Sequence, residues 1–169
     1  MGKGEQGVQK LVNWYKSHPL NILRIIDPYF HPEDLYIIKA LMDENNRLNC
    51  SILTNNRKEE SLNEVFQKGW NMWSAELPGR IEVKSCCYEE QPHKSPWHDR
   101  WWILYDPNKD ESYGVRMASP STFGARITEI SEMEETAIRS AMQVFNRFFI
   151  NMIPKNEERM LMYDETKLR

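Results

Sequence analysis

At 169 residues, with a net charge of −3 and an isoelectric point of about 5.9, the chain has the length of one domain with a sizeable core, and it lacks the global basic field that gathers nucleic acid or anionic lipid. Any anion binding must therefore be local. Cys50, Cys86 and Cys87 have neither the spacing of a disulfide framework nor that of a metal site, which suits a reducing, cytoplasmic setting with no metal or other cofactor. No apolar run approaches the length of a membrane span, and Met1–Gly7 carries no signal-peptide core; this glycine-rich start is expected to be flexible.

From Val8 to Lys16 the apolar residues Val8, Leu11, Val12 and Tyr15 follow helical spacing, and His18-Pro19 stops the helix. Leu20–Ile26 reads as a central strand ending at Asp27-Pro28-Tyr29-Phe30. Pro32, with Glu33 and Asp34 beside it, opens a helix that buries Leu35, Ile37, Ile38, Leu41 and Met42. Leu48–Leu53 is a second strand. Ser61-Leu62-Asn63-Glu64 has the capping-box pattern, and its helix buries Val65, Phe66, Trp70 and Trp73 before Pro78-Gly79. Ile81–Ser85 alternates as a third strand, Trp101–Tyr105 is a fourth covered on both faces, and Tyr113–Ala118 a fifth. Ser131-Glu132-Met133-Glu134 looks like a second capping box, starting a long helix with Ile138, Ala141, Phe145, Phe148, Phe149 and Met152 on one side and Pro154 at its end.

The expected order is α-β-α-β-α-β-β-β-α, an α/β fold. It implies a single domain over 8–153, built on a mixed but mainly parallel sheet of about five or more strands flanked by helices, with hairpin strands added late. Residues 1–7 are then a flexible N-terminus and 154–169 a polar C-terminal extension.

The chain is organised around Ser95–Asp106. There His98-Asp99-Arg100 stands at the mouth of the buried fourth strand. Spaced by one residue on an extended chain, His98 and Arg100 would share a face and Asp99 would take the other. An imidazole beside a guanidinium suits a phosphate: the fork takes two oxygens, and the imidazole can attack phosphorus or move a proton. The plainer alternative is a strand cap paired with Glu89 or Glu90. Asp27 ends the first strand, where ligands collect outside the carboxyl ends of a parallel sheet, although an Asp before Pro28 also suits a turn. The hydroxyl-rich loop Ser119–Gly124 could hold an anion or be an ordinary turn. Glu134 and Glu135 are explained by the start of a helix, and nothing marks Cys86 or Cys87 as a nucleophile.

Together, a strand ending Ile-Ile-Asp-Pro-Tyr-Phe, a helix, a strand ending Ile-Leu-Thr, and a later His-x-basic pair at the start of a strand resemble phospholipase D-like domains over roughly Val8 to Phe149. Gly114 and Ser119-Pro120-Ser121 match the family's Gly…Ser-x-Asn strand end. Asp27-Pro28-Tyr29, His98-Asp99-Arg100 and Glu135-Thr136-Ala137 are similar to the phospholipase D-like C-terminal domain of MIT-domain proteins and to its bacterial relatives in phage-defence and conflict systems. The resemblance implies His98 as the nucleophile, Arg100, Ser119 and Ser121 as phosphate ligands, and Asp27, Asp106 and Glu135 in support. The chain departs from the family pattern at several points. Arg100 replaces Lys, Ser121 replaces Asn, Asp106 lies one residue beyond the usual spacing, and no second motif supplies the protonating His. Turnover would need a homodimer pairing two His98 residues.

Two functions follow from the resemblance. The first is a module that recognises a phosphate-bearing ligand, a nucleic acid or phospholipid head group, without cleaving it. Such a module would serve as a binding or effector domain in a defence or membrane-recruitment system, with partner domains in a larger protein. The alternative is a homodimeric, metal-independent phosphodiesterase, a nuclease, with His98 as its nucleophile. A purely structural interaction domain with a degenerate site is a third.

Overall fold

The structure is a computed structural model that describes residues 3–55, 61–74, 80–92, 94–117, 130–152 and 161–168. Helix α1 spans Lys3–Ser17 and leads to strand β1, Ile22–Ile26. A single 3-10 turn, Pro32–Asp34, opens α2, Leu35–Glu44, which is followed by β2, Asn49–Thr54. Helix α3, Leu62–Asn71, starts where the Ser61 hydroxyl accepts the Glu64 N–H, as the capping pattern requires. Strands β3 (Ile81–Tyr88), β4 (Trp101–Asp106), β5 (Glu111–Met117) and β6 (Ile130–Glu132) come next. Helix α4, Glu135–Phe145, runs into a π-helical turn, Asn146–Ile150, and β7 is Leu161–Leu168.

The seven strands form one sheet in the order β6-β5-β4-β1-β2-β3-β7. Strands β1, β2 and β3 are parallel neighbours joined through α2 and α3. Both crossovers step the same way along the sheet, so both helices fall on one face, where α1 joins them. That face is packed with Leu23, Ile25, Ile52, Val83, Trp102, Leu104 and Val115. The other face carries Ile26, Leu53, Cys86 and Ile103 against α4 and the π-turn, through Ile138, Phe145, Phe148 and Phe149. The strict alternation of Trp102 and Leu104 against Ile103 explains why β4 reads as an unbroken apolar run: it is covered on both sides.

The α/β class is as expected, but the sheet is not mainly parallel. Two neighbouring pairs are parallel and four are antiparallel. The link from β3 to β4, residues 89–100, shows no helix among its described residues, and a parallel return needs a long crossover. The chain instead crosses the carboxyl ends of the parallel strands and comes back antiparallel beside β1, pairing Ile26 with Trp101.

Three further elements differ from expectation. Helix α1 begins at Lys3, not Val8; Gly4 and Gly7 cost a first turn only about 1 kcal/mol each. The Ser131-Glu132-Met133-Glu134 pattern caps no helix. Ile130–Glu132 adds to the edge of β5, and α4 starts at Glu135 with Glu134 making no side-chain cap. The tail is no mere extension, because Leu161–Leu168 pairs with the whole of β3. Its alternate side chains serve opposite faces: Leu161 packs near Phe149, while Thr166 donates to the Asn63 amide oxygen at 2.7 Å.

Candidate functional site

The carboxyl ends of β1, β2 and β3, the start of β4 and the end of β5 lie at one end of the sheet. The register brings Asp27 and Arg100, 73 residues apart, into direct contact there. Arg100 Nε donates to both Asp27 oxygens at 2.9 Å, and Nη2 donates to Oδ2 at 2.8 Å. Both side chains are sealed off, Asp27 at 0 % exposure and Arg100 at 2 %. The Tyr29 N–H also donates to Asp27, at 3.0 Å, which shapes the Asp27–Phe30 turn. Burial pushes the Asp27 carboxyl above its ordinary range, and the Arg100 fork and the Tyr29 N–H pull against it. The Trp102 indole N–H also favours the ionised form, although it does not reach hydrogen-bond geometry.

A second buried acid stands behind the pair. Asp34, at the end of the 3-10 turn, accepts the His31 N–H at 2.8 Å. Loss of water and the neighbouring Asp27 charge raise its pKa to about 8, against the pull of the His31 N–H and Arg100. Thr54, which ends β2, donates to the Phe30 carbonyl at 3.0 Å and ties the turn after β1 to the next strand.

His98 lies outside this interior. Strand β4 begins only at Trp101, so His98, Asp99 and Arg100 are not three residues of a strand; His98 is exposed while Arg100 turns inward. The expectation that His98 and Arg100 share a face is therefore corrected. What holds the segment is Trp97, buried against Phe148 with ring centroids 5.4 Å apart, and the hydrogen bond from the Ser95 hydroxyl to the Trp97 carbonyl. Asp99 reaches across to Arg116 on β5, with Nη2 and Oδ1 at 2.6 Å.

Sequence reasoning passed over Arg116. The signal was there in the alternation of β5: Val115 and Met117 face the core under α1 to α3, so Gly114 and Arg116 face the other way. Arg116 is more than half exposed, and a guanidinium with one carboxylate contact keeps further donors for a ligand.

The remaining expected site residues are scattered. Ser119 and Ser121 lie outside the described residues; their segment leaves β5 at Met117, whose N–H donates to the Arg100 carbonyl at 3.0 Å. Asp106 sits at the far end of β4, where it accepts the Asn108 N–H in the hairpin turn, and the structure does not bring it to His98. Glu135 is also away from that end and pairs with Arg139 one turn along α4. Cys86 is buried with its thiol pushed up to about 12, and burial pushes Cys50 up as well, so neither carries nucleophile chemistry. Among the described residues no group of His, Cys, Asp and Glu is arranged to hold a metal ion. None of their helices is long and apolar enough to cross a membrane. No protein-family model matches the chain, and no curated protein matches it.

Proposed function

We propose that the chain is a phosphate-recognising module of the phospholipase D-like type that does not hydrolyse its ligand. One observation carries the reading: the basic residue of the His-x-Arg pair is closed onto Asp27 in the interior, while His98 stays outside. A guanidinium already forked onto a carboxylate and shielded from water is a poor clamp for a reacting phosphoryl group, because opening it would strand a buried carboxylate. The phosphodiesterase alternative needs His98 and a neighbouring cation to converge on one phosphorus atom, and the Arg100 geometry disfavours it.

Recognition would use the rim. His98 is exposed next to Asp99 in the chain, Arg116 is exposed and paired with Asp99, and the segment carrying Ser119 and Ser121 follows Met117 in the chain. The ligand would be a phosphate monoester or diester group, from a nucleic acid or a phospholipid head group. It would be held by charge-assisted donors without a metal.

The test uses the full chain in EDTA. Single-stranded DNA, RNA and bis(p-nitrophenyl) phosphate are offered for cleavage. Binding of a short oligonucleotide and of phosphoinositide-containing vesicles is measured alongside, with His98→Ala and Arg116→Ala compared. Binding without cleavage, weakened in both variants, is expected. Cleavage that disappears in His98→Ala would replace the reading with the dimeric phosphodiesterase, which size-exclusion chromatography would then have to find as a dimer. No binding and no cleavage would leave the fold as an interaction scaffold alone.

A further inference from the structure

The opposite end of the sheet, by the β4–β5 hairpin, holds a cavity that none of this chemistry uses. Strand β6 covers β5 only from Val115 to Met117; beyond that the Met133 N–H makes one bond to the Gly114 carbonyl, at 2.8 Å, and the chain turns away into α4. Helix α1 ends on the other face at Ser17. The edge of β5 from Glu111 to Gly114 is left between them, and the gap is a cavity of about 350 Å³. Gly114 is fixed by this packing: a Cβ there would stand 2.9 Å from Ile138 Cγ1 and 3.0 Å from Met133 Sδ.

The lining has one chemical character. Its rings are Trp14, His18 and Tyr113, with the His18 and Tyr113 centroids 4.0 Å apart and Trp14 6.1 Å from His18. Among the described residues its charges are carboxylates, from Asp110, Glu111, Glu132 and Glu135, with no lysine or arginine in the wall. His18 Nδ1 lies 3.0 Å from the Trp14 carbonyl, which can only accept, so that nitrogen carries a proton. The Tyr113 hydroxyl, the obvious donor, is spent on Glu111 at 2.7 Å. Glu135 is engaged by Arg139, but Asp110 and Glu132 have no cationic partner among the described residues.

We propose that this cavity binds an organic cation, an alkylammonium or guanidinium group on a flexible chain. Aromatic faces attract such a group, and the carboxylates neutralise it and accept its N–H donors. The same walls exclude phosphate and other anions, so the site is separate from the His98 rim in chemistry as well as position. A volume near the lower limit of about 300 Å³ for ligand pockets suits a narrow chain and not a nucleotide or a polycyclic ring. Two sources present this chemistry: a free polyamine, or the basic side chain of another protein.

Nuclear magnetic resonance titration of the isotope-labelled full chain decides between outcomes. The probes are spermidine, blocked tripeptides with a central lysine or arginine, and triacetylspermidine, which keeps the chain and removes the charge. Saturable shifts at the Trp14 indole N–H and the Gly114 amide are expected with charged probes and not with the acetylated one. The double variant Asp110→Asn/Glu132→Gln, both hairpin or edge positions at the surface, should fold normally and weaken binding roughly tenfold, the effect of two partly exposed charge contacts. Response to spermidine alone assigns the site to a free polyamine; response to the tripeptides assigns it to a basic side chain. No saturable shift with any charged probe would overturn the proposal. So would equal response to triacetylspermidine, or unchanged affinity in a folded double variant.

Discussion

The two ends of the sheet use the same ingredients to opposite effect. At the carboxyl end of β1, Asp27 and Arg100 satisfy each other in the dry interior and little of either reaches solvent. At the β4–β5 hairpin the carboxylates outnumber their partners and stand round an open cavity. Charge that is buried must be matched one for one, because the cost of an unpaired ion there is several kcal/mol. Charge at an open rim can be left over, and surplus charge is what a ligand can use. The comparison shows why a titratable triplet at the mouth of a strand is not by itself a site: what matters is whether its partner is already inside the protein.

The largest break in that contrast should come at the closed end. Asp27→Ala leaves the Arg100 guanidinium buried without its counter-charge and should cost about 3–5 kcal/mol, read from urea unfolding. The double variant Asp27→Leu/Arg100→Met should recover most of that loss, since apolar residues of similar volume often replace a buried pair at little cost. If the double variant is as unstable as Asp27→Ala, the pair does more than satisfy itself.

Next in size is the packing beside the open end. Gly114→Ala forces a methyl group into Ile138 and Met133 and should cost about 1–3 kcal/mol, measured by thermal unfolding.

A buried acid also sets a pH dependence. Asp34 holds its proton up to about pH 8 in the folded chain but ionises near its ordinary value when unfolded. Between those values the folded state binds more protons, so stability is greatest on the acid side and falls as pH rises, by at most about 1.4 kcal/mol per pH unit for one group. Melting temperature should therefore drop from about pH 5 to about pH 8.5, and Asp34→Asn, which keeps an acceptor for the His31 N–H, should flatten the profile.

The smallest effect belongs to the rim. Asp99→Ala removes a surface pair with Arg116 and should change stability by no more than about 1 kcal/mol. The same change frees Arg116 and should strengthen phosphate binding if that residue takes part, which the vesicle assay would read.

Much of this fold was legible in the residues, because apolar runs and capping signals are local. Ile22–Ile26 could be recognised as a central strand from its mostly β-branched and aliphatic residues, Trp101–Tyr105 from its unbroken apolar run, and Ser61 as a cap from the Glu three residues on. Strand β7 was not legible, since an edge strand of Leu-Met-Tyr-Asp-Glu-Thr-Lys-Leu is polar from Asp164 to Lys167 and is made a strand by β3. The Ser131-x-x-Glu134 pattern misled for a related reason: it is a valid helix start that tertiary pairing with β5 overrode. The site was half legible. Asp27 at the end of β1 and Arg100 at the start of β4 were each marked by position, but their contact depends on β4 returning antiparallel next to β1, and no local spacing encodes that choice. A surface ligand set and a structural ion pair look alike until the partner is known.

The pairing of β3 with β7 also constrains how the protein can be made. Strand β3 is an interior strand only because Leu161–Leu168 covers its outer edge, and β7 emerges from the ribosome after the other six strands of the sheet. Until then Val83, Cys86 and their neighbours lie on a strand whose outer hydrogen-bonding groups await a partner, the arrangement through which unfinished chains associate. A nascent chain stalled before Leu161 would therefore be a template for aggregation, although the parallel core and both faces of the sheet were already encoded.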